Sequence, residues 1–237
     1  MNLRRFFIEP EAVSADSIDL SEDLARHIGK VLRLTPGEEL LLLDGRGNHY
    51  RGTIAELSTR GGTVRIQEQW FAGEGLLPIR LIQSLPKGEK FDLILQKGCE
   101  LGVTCFSPVW SERSVPVVNR QRSDKKLQRW QRILSEAARQ SQRPILPVCD
   151  PVSPLQPVLA DCRQELKLML WEDGSRPLAA ELSSSKPQDV AILVGPEGGF
   201  SQEETDQAAA AGFRPVSLGP RILRTETAGF AVAAVLE

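Results

Sequence analysis

The chain has 237 residues, 41% of them hydrophobic and 25% charged, with a formal net charge of −2. These proportions exclude a disordered chain, and no apolar run is long enough for a membrane helix. Cys99, Cys105, Cys149 and Cys162 form no CxxC pair and His27 and His49 stand apart from them, so neither a metal site nor a disulfide framework is expected.

Met1 is followed by Asn-Leu-Arg-Arg rather than a signal-peptide core, which predicts a cytoplasmic protein. The apolar spacing 24/28/31/32 predicts a helix over Asp23–Leu32. Strands are predicted over Glu39–Asp44 and Asn48–Ile54, joined through Gly45-Arg46-Gly47, a hairpin signal. Gly62–Glu68 alternates apolar and polar residues as a third strand. Short strands between turn residues point to a small barrel over residues 1–72. Gly73-Glu74-Gly75 is the expected linker.

From Pro78 the pattern changes. Strands are predicted at Ile79–Gln83, Val103–Val109, Leu166–Trp171, Val190–Val194 and Pro215–Leu218. Helices are predicted at Glu89–Leu101, Asp124–Gln140, Gln202–Ala211 and Glu226–Leu236. Strands alternating with helices give an α/β domain over residues 76–237 with a mostly parallel sheet. No repeat interrupts it.

Charge is unevenly spread. Residues 76–145 hold 13 Lys/Arg against 6 Asp/Glu, while the segments on either side are acidic. A local basic stripe matters more for RNA contact than the total charge does.

Two glycine-rich corners follow predicted strands. The first is Leu193-Val-Gly-Pro-Glu-Gly-Gly-Phe-Ser-Gln-Glu-Glu204, in which Ser201 and Glu204 match a capping box. It therefore lies at the carboxyl end of a buried strand, where ligands bind in open α/β sheets. It matches neither phosphate-cradle glycine pattern, and Glu197 would repel a phosphate. Alone, it reads equally as a tight loop carrying a surface acid. The second corner is Leu218-Gly-Pro-Arg-Ile-Leu-Arg-Thr-Glu-Thr-Ala228. Its apolar Ile222-Leu223 pair is poorly placed for solvent and well placed to sandwich a flat base. Two such loops at one sheet edge suggest a nucleoside-type ligand.

These two corners resemble the paired C-terminal motifs of the SPOUT methyltransferases, and in detail those of the RsmE family, which methylates N3 of a uridine in 16S ribosomal RNA. The likeness covers nearly the whole chain. Arg4-Arg5-Phe6-Phe7 and His27–Leu34 resemble that family's PUA-like N-terminal barrel; Gln96–Val103, Ser111–Ser114 and Glu136–Arg143 resemble its central motifs. One departure is Gly98, where the family commonly has alanine, a better helix former.

The resemblance implies a SPOUT-type α/β trefoil-knot domain, S-adenosylmethionine (SAM) as methyl donor with S-adenosylhomocysteine (SAH) as product, a homodimer, and 16S rRNA, within the 30S subunit, as partner. The knot rests on the family alone, since base rates run against knots. Glu197 is expected to offset the sulfonium charge or orient the ribose. Gly195, Gly198 and Gly199 permit close backbone approach. Leu218, Gly219, Ile222 and Leu223 are the expected adenine site. Leu170 and Leu193 end neighbouring strands and read equally as cofactor contacts or plain core.

Uridine N3 must lose a proton to become a nucleophile. Arg224, which also borders the cofactor corner, is the candidate to stabilise the developing charge. Glu226 reads as a base or as an acid favoured at a helix N-terminus. Arg143 and Glu100 are further candidates, with a salt bridge as the alternative. Arg113, Arg120, Arg122, Lys125, Lys126 and Arg129, with Arg4 and Arg5 from the barrel, are the expected RNA contacts. The last helix is apolar on nearly all faces and needs burial within the chain or against a second copy.

Two rivals remain. A ribose 2′-O methyltransferase of another SPOUT branch would carry an Asn-bearing Ser-Leu-Asn motif where this chain has Arg224-Thr-Glu-Thr-Ala228. A non-catalytic RNA-binding ribosome-assembly factor would not need two cofactor corners.

Overall fold

The computed structural model describes residues 3–75, 77–114, 120–171, 176–183 and 186–236, with backbone alone for 120–122. The chain divides into two compact units, Met1–Gly75 with Ala138–Leu146, and Leu76–Ala137 with Pro147–Glu237.

The first unit contains β1 (Arg5–Phe7), β2 (Ser17–Leu20), α1 (Glu22–Arg26), β3 (Glu39–Leu43), β4 (Asn48–Ser58) and β5 (Gly61–Phe71). They form a five-stranded sheet in the order β1-β3-β4-β5-β2. The predicted hairpin joins β3 to β4. Its turn is fixed by the Asp44 carboxylate, which accepts from the backbone N–H of Arg46 at 2.8 Å and of Asn48 at 3.0 Å. β4 and β5 run longer than predicted and carry irregularities at Arg51/Gly52 and Ile54/Glu56. Gly52 is required there, because a Cβ would lie 2.5 Å from the Arg65 carbonyl oxygen. The predicted helix over 23–32 divides into α1, capped by Ser21, and a wider π-type turn over His27–Val31. Ile18, Ile28, Leu40, Leu42, Ile54 and Val64 form the buried centre of this unit.

The second unit holds β6 (Ile79–Ser84), α2 (Lys90–Glu100), β7 (Val103–Trp110), most of α3 (Arg120–Ser141), β8 (Val148–Cys149), β9 (Ser153–Pro154), α4 (Leu155–Asp161), β10 (Leu166–Leu170), β11 (Arg176–Pro177), α5 (Leu178–Leu182), β12 (Val190–Val194), α6 (Gln202–Ala210), β13 (Arg214–Ser217) and α7 (Thr225–Leu236). Its sheet runs β11-β13-β10-β12-β6-β7-β8, with β9 also on β7, and every pairing is parallel. The uninterrupted apolar run Val190–Val194 is the central strand β12, buried at every position. Chain order does not follow sheet order. β12 inserts between β10 and β6, so the ends of β6, β12, β10 and β13 share one carboxyl edge.

The elements absent from the sequence reading are β1 and β2 in the first unit and β8, β9, β11, α4 and α5 in the second; all are short, and those of the second unit are mostly flanked by proline. The last helix is not buried all round within the chain, since Val235 is 62% exposed. None of the four cysteines is in a disulfide. Burial, with the Asp150 carboxylate adding to it, pushes the Cys105 thiol up to about 11 and the Cys149 thiol up to about 12. Asp150 itself accepts from the Ser107 hydroxyl at 2.6 Å and from Arg80 at 3.3 Å.

α2 packs against α3 through Phe91 and Trp130, whose ring centroids are 4.5 Å apart. On another side of α2, Gly98 meets the fully buried ring of Phe106, and a Cβ on Gly98 would fall 2.6 Å from that ring. This is the physical reason for glycine where alanine is the better helix former. Gly98→Ala is expected to destabilise the chain by about 1–2 kcal/mol, because overpacking outweighs the propensity gain. Urea denaturation of the variant checks this.

Candidate active site at the carboxyl edge of the parallel sheet

The site is assembled by one hydroxyl. Thr225, the first residue of α7, donates from Oγ1 to the Gly195 carbonyl at 2.5 Å and accepts from Gln83 Nε2 at 2.9 Å. The end of β6, the first glycine corner and the end of the second corner are thereby fixed together. The sequence places the last helix here, but the link through Thr225 joins residues far apart in the chain, beyond the reach of local signals.

The capping box forms as the sequence reading expected. Ser201 Oγ accepts from the Glu204 N–H at 3.4 Å, and Glu204 Oε2 accepts from the Ser201 N–H at 3.0 Å. Glu204 Oε1 also accepts from the Glu112 N–H at 2.7 Å, so this nearly buried acid joins the Ser111–Ser114 loop to the corner. In the same loop, Arg113 donates to the Gly198 carbonyl at 2.9 Å.

Glu197 meets an ammonium. Its Oε1 accepts from Lys90 Nζ at 2.9 Å and from the Lys87 N–H at 3.2 Å. Burial works to raise the Glu197 pKa, but the hydrogen bonds from Lys90 and from backbone N–H groups outweigh it and hold the carboxyl below its ordinary value. The stabilisation this gives is present above that ordinary value and is lost as pH falls through the lowered one. Lys90 Nζ also lies 3.2 Å from Glu226 Oε2, in ion-pair range but out of line for a hydrogen bond. The Glu197 hydrogen bond foremost holds the Lys90 ammonium above its ordinary pKa; burial opposes this and Glu226 adds to it.

In the second corner, Leu218 and Leu223 are half-buried and Ile222 is 76% exposed. Arg224 is 82% exposed, with Nη1 3.9 Å from Glu226 Oε1. Glu226 is buried. Gly199 (φ +67°) and Gly219 (φ +107°) adopt backbone that side chains rarely take, and no atom lies within 4 Å of where a Cβ would stand on either. At the end of β6, Gln83 Oε1 and Ser84 Oγ are buried without a hydrogen-bond partner. Open backbone at two turns, orphaned polar atoms and an apolar pair fit a flat, hydrogen-bonding ligand such as a nucleoside.

The other candidates fare differently. Leu193 is fully buried among Ile82, Met169 and Phe200, which makes it core, while Leu170 ends β10 half-buried. Arg143 is held in the first unit by a buried pairing with Glu74, with both contacts at 2.6 Å. Glu100 pairs with Lys97 at 2.8 Å, the salt-bridge alternative. Arg129 is bonded to Asp92 and to Glu89. Arg4 donates to the Leu32 carbonyl at 3.0 Å, and Arg5 lines a small cleft with Phe7 and Leu43. Lys125 and Lys126 are exposed, whereas the side chains of Arg120 and Arg122 lie outside the described residues. Among the described residues, no group of three or more His, Cys, Asp or Glu could hold a metal ion.

Lys87, Lys90, Gln83 and Thr225 were missed by the sequence reading. The signal available for the lysines was Pro86-Lys-Gly-Glu-Lys90, a polar turn entering α2 opposite the glycine corner.

Comparisons with known proteins find clear relatives of the chain. Residues 74–237 match the family described as RNA methyltransferase domain, and residues 20–67 match RNA methyltransferase PUA domain. A ribosomal RNA small subunit methyltransferase E from Synechocystis is 37% identical, covering 94% of this chain and 74% of its own. The Bacillus subtilis protein of the same name is 31% identical over 95% of this chain and 93% of its own. A crystal structure of ribosomal RNA small subunit methyltransferase E from Neisseria gonorrhoeae bound to SAM superposes with a TM-score of 0.87 at 36% identity, covering 99% of this chain and 96% of that one.

Thr225→Val keeps the shape but removes the donor to Gly195 and the acceptor for Gln83. It is expected to cost about 1–3 kcal/mol, with Thr225→Ser retaining most of the lost stability. Chemical denaturation of the two variants side by side tests this.

Proposed function

This chain belongs to the ribosomal RNA small subunit methyltransferase E family, and from that premise we propose that it methylates N3 of a uridine in 16S rRNA with SAM as donor. The observation that carries the reading is the joining of two glycine corners at one sheet edge through Thr225, beside buried polar atoms without partners.

When bound, SAM supplies an electrophilic methyl group on a sulfonium centre. Leu218, Gly219 and Leu223 would hold its base, with exposed Ile222 covering it. The glycines after β12 leave room for its sugar and sulfur end. The Gly195 carbonyl is already engaged by Thr225, which fixes the turn before any ligand arrives.

The target base needs its N3 proton removed and the resulting charge stabilised. Arg224 is exposed, charged and tethered only at 3.9 Å to Glu226, so its guanidinium is free to swing onto an incoming base oxygen. Glu226, in the first turn of α7 with Lys90 Nζ 3.2 Å from its Oε2, is the proposed proton acceptor. Arg143 is given no catalytic part in this reading, because its Nε and Nη2 form a buried pairing with Glu74.

The substrate is proposed to be the 30S particle, gripped by Arg4, Arg5, Lys125 and Lys126 through phosphates, with one base splayed out. A homodimer is proposed, supported by apolar surface at Ile222 and Val235, 76% and 62% exposed. The C-terminal segment is proposed to thread as the family's knot. Packing of α7 on α2, β12 and β6 is compatible with that path. No helix among the described residues is long and apolar enough to cross a membrane, and a cytoplasmic location is proposed.

The test is methyl transfer to small subunits and to free 16S rRNA, both from a strain lacking the modification, with mass spectrometry of the product nucleoside. N3-methyluridine on 30S particles is expected. A 2′-O-methyl product, or no product despite RNA binding, would replace this reading with one of its rivals. Arg224→Ala is expected to lower kcat by about 10²-fold with SAM affinity little changed, measured by steady-state kinetics and calorimetry. Lys125→Glu with Lys126→Glu is expected to raise KM for the particle, leave kcat near wild type, and flatten the salt dependence of binding.

A further inference from the structure

Lys90 is the residue the reaction scheme leaves unused. Its ammonium sits between two carboxylates from different corners, 2.9 Å from Glu197 Oε1 and 3.2 Å from Glu226 Oε2. Glu197 lies on the loop after β12, Glu226 in the first turn of α7, and Lys90 in the first turn of α2. The side chains of Lys90, Glu197 and Glu226 are 35%, 31% and 10% exposed. Pairs as open as Lys90–Glu197 add little to stability, but partly desolvated charges are felt further than fully hydrated ones.

The charges can be counted. The trio carries one positive and two negative groups. Lys87 adds only its backbone N–H to Glu197, and Arg224 is the one other charged group the described contacts place near Glu226, 3.9 Å off and largely in solvent. With Lys90 in place the trio is singly negative. Without it, two carboxylates would face the cofactor corner unbalanced.

We propose that Lys90 is a positioning residue that clamps the Glu197 loop to the start of α7 and, by its charge, limits how strongly the site prefers a cationic methyl donor over its neutral product. This rests on the SAM reading above. The physical reason is differential binding. A doubly negative corner would hold a sulfonium cation tightly, yet that charge is being discharged in the transition state, so the extra ground-state attraction would be lost there and would slow the reaction. An ammonium beside the two acids trims that attraction. The raised proton affinity of Lys90 and the lowered one of Glu197 agree with a pair kept ionised at neutral pH.

The experiment is calorimetric titration of the full chain with SAM and separately with SAH, for wild type, Lys90→Met, Lys90→Arg and Glu197→Gln, each first checked for folding by thermal melting. Lys90→Met is expected to raise the ratio of SAM to SAH affinity by about two- to fivefold. Lys90→Arg should leave the ratio near wild type, and Glu197→Gln should lower it. A general loosening of the fold would weaken both ligands together. An unchanged ratio in Lys90→Met, whatever happens to the separate affinities, therefore overturns the proposal and leaves the SAM site standing. If Lys90→Met does not fold, Glu197→Gln decides alone, and an unchanged ratio there is equally fatal. If the wild type binds neither ligand, the SAM reading itself fails and this inference falls with it.

Discussion

Thr225 Oγ1 donates to the Gly195 carbonyl and accepts from the Gln83 amide, and these two bonds bring three chain ends to one point. Each partner sits at the end of a parallel strand buried in the sheet, so neither can move to meet a misplaced hydroxyl. The position of Thr225 in turn sets where α7 begins and where the 218–224 loop must end. α7 then lies close on the sheet, where a Cβ on Gly229 would come 2.9 Å from Leu81. The cofactor corners are therefore shaped by the same contacts that seat the last helix, and a change to one is felt by the other.

The distribution of charge tells a less direct story than the sequence suggests. The middle segment is strongly basic, but much of that charge is used within the molecule. Arg129 is spent on Asp92 and Glu89, Arg80 on Asp150, and Arg143 on Glu74. Arg113 supports the glycine corner through the Gly198 carbonyl. The field left for an RNA phosphate comes from fewer side chains than the count of lysines and arginines implies. Lys125 and Lys126 are exposed among them.

What could be read from the sequence follows from how local the signals are. The β12 strand, the capping box and the hairpin at 45–47 each depend on residues within a few positions of one another, and each formed as expected. A mostly parallel sheet followed from alternation of strand and helix, and the observed one is parallel at every pairing. By contrast, β8, β9 and β11 are two-residue strands that exist only because a neighbour offers a free edge. The role of Thr225 depends on residues 30 and 142 positions away. Lys90 was silent for the same reason, since its partner Glu197 is 107 residues distant. The case of Gly98 is the reverse. Its oddity was visible in the sequence, but its cause, the ring of Phe106, was not.

The four thiols have a practical consequence. Cys99, Cys149 and Cys162 are buried, and burial raises the proton affinity of Cys105, Cys149 and Cys162. At neutral pH almost none of these three is thiolate, the form that alkylating reagents and oxidants attack. The native chain should therefore be slow to form mixed disulfides and should tolerate purification without reductant. Cys99, Cys149 and Cys162 become labelled only when their own parts of the second unit open. The protein thus carries three endogenous clocks for local unfolding, in α2, β8 and the turn after α4, readable by timed alkylation and peptide mass mapping with no engineered probe.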